Sequence, residues 1–362
     1  MSLVFWQNVI SIHQSAFIKS LSAINPVTLV VERECSAARL KEGWKVPQMG
    51  NARIIIAPDD SKISELLADK ESYHIFSGID ANPMVYAVFK QAAKNHCRIA
   101  VMLEPYKWLG ITGLLRRLKY KYLRIRYEKY INVLFVTGYK GEECYIKSGF
   151  PKEKIYQWGY FTEHRHIHAK SIIEQTKPNI IFIGRLDVNK NILNLVKVIK
   201  TQTCLFNTFY IIGNGSLESR LLKIIEEEQQ IKYVGAIPNE NITDYLSRSD
   251  LLILPSLYDG WGAVVNEALM CGTRVLCSEN CGASALLDNN ERGGVFCFDE
   301  YNSDMKMQLR KWLEKGPITQ KQRRNIINWT YDHISGDNAA TYFNAVLTDP
   351  DKRIIPSWLN ND

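Results

Sequence analysis

Eleven short apolar runs are spread along the chain, and none alternates between apolar and polar residues. In the first half they fall at 27–31 (VTLVV), 53–57 (RIIIA), 74–78 (HIFSG), 98–103 (RIAVML) and 133–138 (VLFVTG). In the second half they fall at 179–184 (NIIFIG), 209–213 (FYIIG), 231–235 (IKYVG), 251–255 (LLILP), 274–278 (RVLCS) and 295–298 (VFCF). A strand that is apolar on both sides must be covered on both sides. That describes a parallel sheet whose crossover helices pack on its two faces. Stretches such as 216–230 and 239–249 have the pattern of those helices. The alternation runs through twice, so the expected fold is α/β with two Rossmann-like, doubly wound domains. The 362 residues suffice for two cores.

The break is expected at the polar stretch 162–178 (TEHRHIHAKSIIEQTKP), which ends on a proline that introduces the next strand. The expected domains are 1–163, 164–318 and a terminal segment 319–362. His164, His166 and His168 alternate in the polar stretch, so an extended chain would put all three on one face. A metal site needs a further ligand, and none is in view, so a solvated linker is the reading and no metal is expected. Apolar residues make up 46% and charged residues 23%, an ordinary globular balance that excludes a disordered chain. The opening MSLVFWQNVISIHQ has no basic region before an apolar run and no small-residue cleavage site, and no run is long enough to span a membrane. The eight cysteines lack paired spacing, Cys277 and Cys281 being the closest pair, which suits reduced thiols and a cytoplasmic location.

Chemistry gathers in three turns of the second half. In PSLYDGWGAVVNEALMCG (255–272) a buried strand gives way to a helix across Asp259, Gly260, Trp261 and Gly262, and Glu267 follows inside the helix. Glycines that leave backbone N–H groups uncovered at a helix start make an anion site. Two carboxylates do not attract a phosphate, so Asp259 and Glu267 are better suited to accept hydrogen bonds from sugar hydroxyls. In FIGRLDVNKNILNLVKVI, Arg185 and Lys190 flank a second turn and would supply cations. In IIGNGSLESRL, Gly213 and Gly215 mark a third. Each residue alone also suits a cap or turn: Asp259 capping the helix, Arg185 pairing with Asp187. Three such turns at strand ends of one sheet point to a ligand site.

GRLDVNK, IIGNGSLESRL, YVGAIPNENITDYLSRSDLLILPS and YDGWGAVVNEALMCGTRVL resemble the successive signatures of the retaining family-4 glycosyltransferases of the GT-B fold. The resemblance is specific over about 180–287 and weaker over the first half. It implies two domains facing a cleft and a nucleotide-diphosphate sugar of UDP or GDP type as donor, with no separate cofactor. It implies that Arg185 and Lys190 bind the diphosphate, that Asp259 meets the sugar hydroxyls and that Glu267 meets the ribose. The backbone of Trp261, Gly262 and Ala263 would cradle the distal phosphate. The family's usual first acid is Glu, and here it is the shorter Asp259. NIINWTYDHISGDNAATYFNAVL (325–347) is similar to the family's terminal helices, which cross back to the first domain. Its residues read as a helix broken near Ser335-Gly336.

The first half is read as the acceptor-binding domain. The usual glycine pair after the first strand is replaced by ISIHQSAFIKSL, with His13 and Gln14 before an apolar helix, where His13 could equally be a cap. VMLEPYKWLG places Glu104 and Tyr106 at another strand end, suited to a carbohydrate hydroxyl and a sugar face, or to packing. Asp59 and Asp60 read as a helix start. Between Leu114 and Tyr130 (LLRRLKYKYLRIRYEKY) seven cations stand against one acid, a local excess of six in a chain of net charge +7. Leu114, Leu115, Leu118, Tyr122 and Ile125 recur at helical spacing, giving an amphipathic helix with a basic face. A core role for that stripe leaves charge to act on an anionic membrane, while a merely solvated face is the bland reading. The sum is a glycosyltransferase, peripheral at the inner face of the cytoplasmic membrane and acting on a lipid-linked or lipopolysaccharide acceptor. A nucleotide-sugar-binding subunit without turnover is the alternative. A nucleic-acid binder would leave the second domain unexplained.

Overall fold

The computed structural model describes residues 1–35, 46–108, 110–164, 175–288 and 290–359. His166 and His168 lie outside the described residues. The chain divides into two compact units, Met1–Glu163 with Ile334–Asn360, and His164–His333.

In the first unit β1 (Leu3–Gln7), β2 (Val27–Val31), β3 (Arg53–Ile56), β4 (Tyr73–Ser77), β5 (Arg98–Leu103), β6 (Val133–Thr137) and β7 (Ile155–Trp158) form one sheet ordered β3-β2-β1-β4-β5-β6-β7. Every ladder is parallel. Helices α1 (Ser15–Ile24), α2 (Asp60–Ala68), α3 (Pro83–Lys94), α4 (Gly110–Tyr127) and α5 (Gly138–Lys147) connect the strands. Asp59 caps α2 by accepting from Lys62 N at 2.8 Å. In the second unit β8 (Ile180–Ile183), β9 (Phe209–Ile212), β10 (Ile231–Gly235), β11 (Leu251–Leu254), β12 (Arg274–Ser278) and β13 (Gly293–Phe296) are ordered β10-β9-β8-β11-β12-β13, again all parallel. Helices α6 (Ile192–Lys200), α7 (Glu218–Ile225), α8 (Ile242–Ser247), α9 (Val264–Met270), α10 (Ser303–Glu314) and α11 (Gln320–His333) accompany them.

The burial follows the sequence pattern inside the sheets but not at two edges, where β3 (RIII) is largely exposed and β10 (IKYVG) only partly buried, since an edge strand is covered less. Every residue of β8 (IIFI) and β11 (LLIL) is buried, as strands covered on both faces require. On α6 the buried Ile192, Leu195, Val196 and Ile199 recur every three to four residues and face that sheet. Two strands lie outside the eleven runs: β1 (LVFWQ), the first strand expected before ISIHQ but without bounds, and β7, because IYQW mixes polar and aromatic residues in a very short segment. The run at 295–298 is shifted: the strand is Gly293–Phe296. A Cβ at Gly294 would sit 2.5 Å from Trp312 Nε1, so a glycine is what lets the strand close on that ring.

The segment expected to return from 319 returns from Ile334 instead. Helix α11 stays with the second unit because Arg323 is buried there. Its guanidinium donates to Cys271 O at 3.2 Å and to Ser249 O at 3.0 Å, and lies 3.6 Å from the Asp250 carboxylate. Asp250 in turn accepts from the backbone N–H groups of Asn179 and Ile318, at 2.8 and 2.9 Å. The break at Ser335 is a helix start, with the Ser335 hydroxyl capping α12 (Gly336–Thr348). Helix α12 packs in the first unit, where Phe343 stacks on Phe135 with ring centroids 4.6 Å apart. All eight cysteines are free thiols. Among the described residues, no helix is long and apolar enough to cross a membrane.

One buried imidazole gives the first unit a pH dependence. His74 on β4 is fully buried and accepts from Trp6 Nε1 at 3.2 Å. Burial pulls its pKa down to about 4 from 6.5, against a weaker opposing pull from Asp69. The unfolded chain therefore binds a proton that the folded chain refuses, so this contribution is complete above about pH 6.5 and is lost as pH falls toward 4. The difference corresponds to about 3 kcal/mol. Urea unfolding at pH 7 and pH 4 is expected to show His74→Gln losing less stability than the wild type on acidification; an identical loss in both proteins would contradict the assignment.

Candidate functional site

The second sheet reverses its strand order between β8 and β11, and the crevice outside the carboxyl ends at such a point is where open parallel sheets hold ligands. Register places Leu251 beside Ile180 and Leu252 beside Ile181 there. The turns after β9, β8 and β11 are consecutive along this rim, and they carry the residues singled out in the second half.

After β8, Asp187 organises the turn. Its Oδ1 accepts from Lys190 N at 2.9 Å and its Oδ2 lies 3.1 Å from Arg185 Nη2. Arg185 is 76% exposed, so its guanidinium keeps most of its contact with water. Asn191 then takes a left-handed conformation (φ 57°) and the chain enters α6. Lys190 crosses the switch point: its Nζ lies 2.6 Å from Asp259 Oδ2, with the two side chains only 18% and 16% exposed. Asn189 reinforces the crossing, donating from Nδ2 to Tyr258 O at 2.7 Å and accepting at its carbonyl from Leu257 N at 2.8 Å.

After β9 the backbone lies directly on the β8 turn. A Cβ at Gly213 (φ 129°) would fall 2.0 Å from Gly184 O, and one at Gly215 (φ 156°) 2.5 Å from Leu186 O. Leu186 N donates to Asn214 O at 2.7 Å, and Leu217 N to Leu186 O at 2.9 Å. The Tyr233 hydroxyl donates to Gly213 O at 3.1 Å, and its pKa is pushed up to about 12, first by burial and then by Glu218.

After β11 the loop that follows β12 clamps the turn. Asp259 N donates to Asn280 O at 3.0 Å, Gly282 N to Asp259 O at 3.2 Å and Ala283 N to Trp261 O at 2.8 Å. Trp261 is buried, and its Nε1 donates to Asn266 Oδ1 at 2.7 Å. Helix α9 opens at Val264 with no side-chain cap at Ala263, and Glu267 lies in its first turn, half-buried. The sequence reading missed Asn189, Asn266 and Cys281 as supports. An asparagine on the buried side of a short apolar helix, as Asn266 is, was the available signal. Cys281 donates to Trp261 O at 2.8 Å. The pKa of the neighbouring Cys277 thiol is raised, first by its hydrogen bond with Cys281 and then by burial, which keeps Cys277 an inert packing thiol.

In the first unit His13 lies after β1, in a short 3-10 turn capped by Ser11, and its ring stacks on Tyr160 at 5.1 Å. The capping alternative for His13 therefore falls to Ser11. Gln14 accepts from Gln7 Nε2 at 2.7 Å, and its own amide reaches Met102 Sδ on β5 at 3.9 Å. Glu104 is exposed after β5, and its carbonyl accepts from the Tyr145 hydroxyl at 2.7 Å. Tyr106 does not offer a face to a sugar. It is 5% exposed, stacks on Tyr120 at 4.6 Å and bonds Ser148 Oγ at 2.6 Å, with burial raising its pKa to about 12. His164 stacks on Tyr331 at 3.9 Å and meets Thr330 Oγ1 at 3.0 Å. Among the described residues no group of three His, Cys, Asp or Glu side chains could hold a metal.

Two α/β units with all-parallel sheets, glycine turns stacked at a switch point and a terminal helix returned to the first unit give the architecture expected of the GT-B fold. Residues 163–332, a little under half of the chain, match the model of the glycosyl transferases group 1. It is 30% identical over 162 residues to an amylovoran biosynthesis glycosyltransferase of Erwinia amylovora, covering 41% of this chain and 39% of that one. It is also 30% identical over 142 residues, 37% of each chain, to the N-acetylgalactosamine-N,N'-diacetylbacillosaminyl-diphospho-undecaprenol 4-alpha-N-acetylgalactosaminyltransferase of Campylobacter jejuni. The chain thus spans less than two thirds of the length of these curated relatives. The fold matches the crystal structure of an Anabaena protein, HepE, in complex with UDP, with a TM-score of 0.71 and 13% identity over 96% of this chain and all of that one.

Gly262 tests how tightly the β11 turn is built. It adopts φ 90°, and a Cβ there would meet Cys281 Sγ at 2.7 Å and Leu254 Cδ2 at 2.9 Å. Gly235 has a similar φ of 81° with nothing within 4 Å. Gly235→Ala is expected to cost about 1–3 kcal/mol from backbone strain. Gly262→Ala should cost about 1–3 kcal/mol more from overpacking. Chemical unfolding of the two variants checks this, and equal costs would mean that the turn is loosely packed.

Proposed function

We propose that the protein moves a hexose or similar sugar from a nucleotide-diphosphate sugar, of UDP or GDP type, to a membrane-associated glycan or lipid-linked acceptor. The transfer retains anomeric configuration and serves the synthesis of a bacterial surface polysaccharide such as lipopolysaccharide. The observation that carries this reading is the convergence of Arg185, Lys190 and Asp259 with stacked glycine turns at one switch point, Glu267 following in α9. The Erwinia relative is named for amylovoran biosynthesis, and the name of the Campylobacter relative specifies a diphospho-undecaprenol-linked substrate. Both support the acceptor class.

In this reading the diphosphate meets Arg185, Lys190 and the glycine-rich backbone at Gly213, Gly215 and 261–263. Arg185 is exposed enough to move onto a phosphate, and its bond to Asp187 is a surface pair worth about 1 kcal/mol or less. Lys190 has three N–H donors, so it can hold Asp259 and a phosphate oxygen together. Glu267 takes the ribose hydroxyls and Asp259 the sugar hydroxyls. As the glycosidic bond breaks, charge builds on the leaving diphosphate, and Lys190, with Arg185 once it has moved onto the bound donor, stabilises that charge. The diphosphate accepts the acceptor's proton. His13, Gln14 and Glu104 at the carboxyl edge of the first sheet are the acceptor contacts, and Tyr106 is withdrawn from that set. The bound donor is the only small molecule required. A nucleotide-sugar-binding subunit without turnover would share the donor contacts, and release of free nucleotide diphosphate on incubation separates the two.

Arg185→Ala, Lys190→Ala and Glu267→Ala are each expected to lower turnover about 10²–10³-fold in a folded protein. A soluble triple variant that turned over like the wild type would remove the site assignment. Turnover is also expected to survive EDTA, because Arg185 and Lys190 supply the charge that a metal would. Complete loss on chelation, restored by manganese or magnesium, would overturn that part.

A further inference from the structure

Helix α4 has two apolar rows on opposite sides. Gly113, Leu123 and Tyr127 are buried, and Tyr120 packs against the same core. Ile111, Leu114, Leu115, Leu118, Tyr122 and Ile125 fall within an arc of about 100° on the other side. All six are exposed, Ile111 by 81% and Ile125 by 75%. The core role expected for this stripe is therefore corrected: the core takes the glycine-and-tyrosine row, and the more apolar row points to solvent. Exposed apolar ridges of this length mark an interaction surface.

The charges on α4 say which kind. At the same spacing Lys121 and, further round, Arg117 flank the ridge on one side, and Lys119 and Arg126 on the other. The helix carries no acid. Lys119 is partly offset by Asp80 at 2.8 Å, and Glu128, just past the helix, is already taken by Lys154 at 2.6 Å. A second copy of this chain would set cations against cations along both flanks. A surface with an apolar interior and negative charge on both sides of an inserted ridge meets every part of the pattern.

We propose that α4 lies in the interface of an anionic membrane, with Ile111, Leu115, Leu118 and Ile125 inserted among the lipids and the flanking cations on their phosphates. Insertion, and not charge alone, holds the protein there. The ridge would sit about 5–10 Å into the boundary between headgroups and acyl chains. This docking is separate from sugar transfer, since it needs neither donor nor turnover.

The test uses the full chain with phosphatidylcholine vesicles, with and without phosphatidylglycerol, at low and high salt. Because the altered side chains are exposed, all variants should keep the wild-type unfolding midpoint. The wild type is expected to float with the anionic vesicles. Leu115→Ser, Leu118→Ser and Ile125→Ser combined should weaken binding at least about tenfold at either salt concentration. Lys121→Gln with Arg126→Gln should weaken it at low salt only, where charge is unscreened. In Leu118→Trp the new indole should be quenched by brominated acyl chains. Wild-type binding by the serine variant, or an unquenched indole, would overturn insertion. Failure of the wild type to bind would overturn the proposal outright. A wild-type dimer in sedimentation that the serine variant loses, without vesicle binding, would give the ridge to a second copy.

Discussion

The contact between Lys190 and Asp259 joins the loops after β8 and β11 across the point where the second sheet reverses its order. Those strands pair only through Leu251 with Ile180 and Leu252 with Ile181, so the ladder does not extend to the loops at their carboxyl ends. The ion pair at 2.6 Å joins them, with Asn189 bonding both Tyr258 and Leu257 beside it. The side chains are mostly buried but not sealed, so water still moderates the attraction. The β9 turn is then laid against the β8 turn at a distance that only glycine permits, since a Cβ at Gly213 would meet Gly184 O. Three loops thus become one surface, which is what binding a phosphate by backbone and cations together requires.

Most of the frame was legible because parallel strands buried on both faces leave an unmistakable pattern. LLIL and IIFI have nowhere else to go. The rim turns were legible for a related reason: glycines at strand ends, with Asp, Arg and Lys between them, are poor material for a core. Legibility failed where a short element mixes its chemistry. IYQW does not read as a strand, and its place as β7 comes from pairing with β6, Leu134 beside Ile155. The end of the second unit was misplaced because α11 shows few apolar residues: Ile326 and Thr330 are its buried positions, and Arg323 adds a mostly buried guanidinium. Nothing in QKQRRNIINW marks Arg323, and not Arg324, as the one that reaches Ser249 and Asp250.

Aromatic residues were the other source of error, and in both directions. Tyr106 at a strand end has the composition of a sugar platform, yet its hydroxyl finds Ser148 and its ring finds Tyr120, so it is core. On α4 the tyrosines again fill the inside: Tyr127 bonds the Tyr86 hydroxyl at 3.0 Å. A scan for apolar periodicity scores leucine and isoleucine above tyrosine and glycine. It therefore assigns the leucine row to the core, which is the wrong row whenever a helix has a second partner to face. A Cβ at Gly113 would fall 2.2 Å from Trp108 O, so the inner row is the one selected for close approach.

The aspartate at position 259 has a geometric consequence. A carboxylate offers about four acceptor positions, so an acid holding a lysine still has capacity for a hydroxyl. Asp259 is one methylene shorter than the acid usual in the family, and its backbone is fixed on both sides, by Asn280 O accepting from its N–H and by Gly282 donating to its carbonyl. The short side chain cannot reach far from that frame, so Lys190 comes to it. The lysine charge is then partly offset at the place where a diphosphate would bind, and the exposed Arg185 becomes the cation with the greater freedom to follow a leaving group. The two cations differ accordingly: Lys190 joins the rim at Asp259, and Arg185 stays exposed, which under the proposed function would give it the reach.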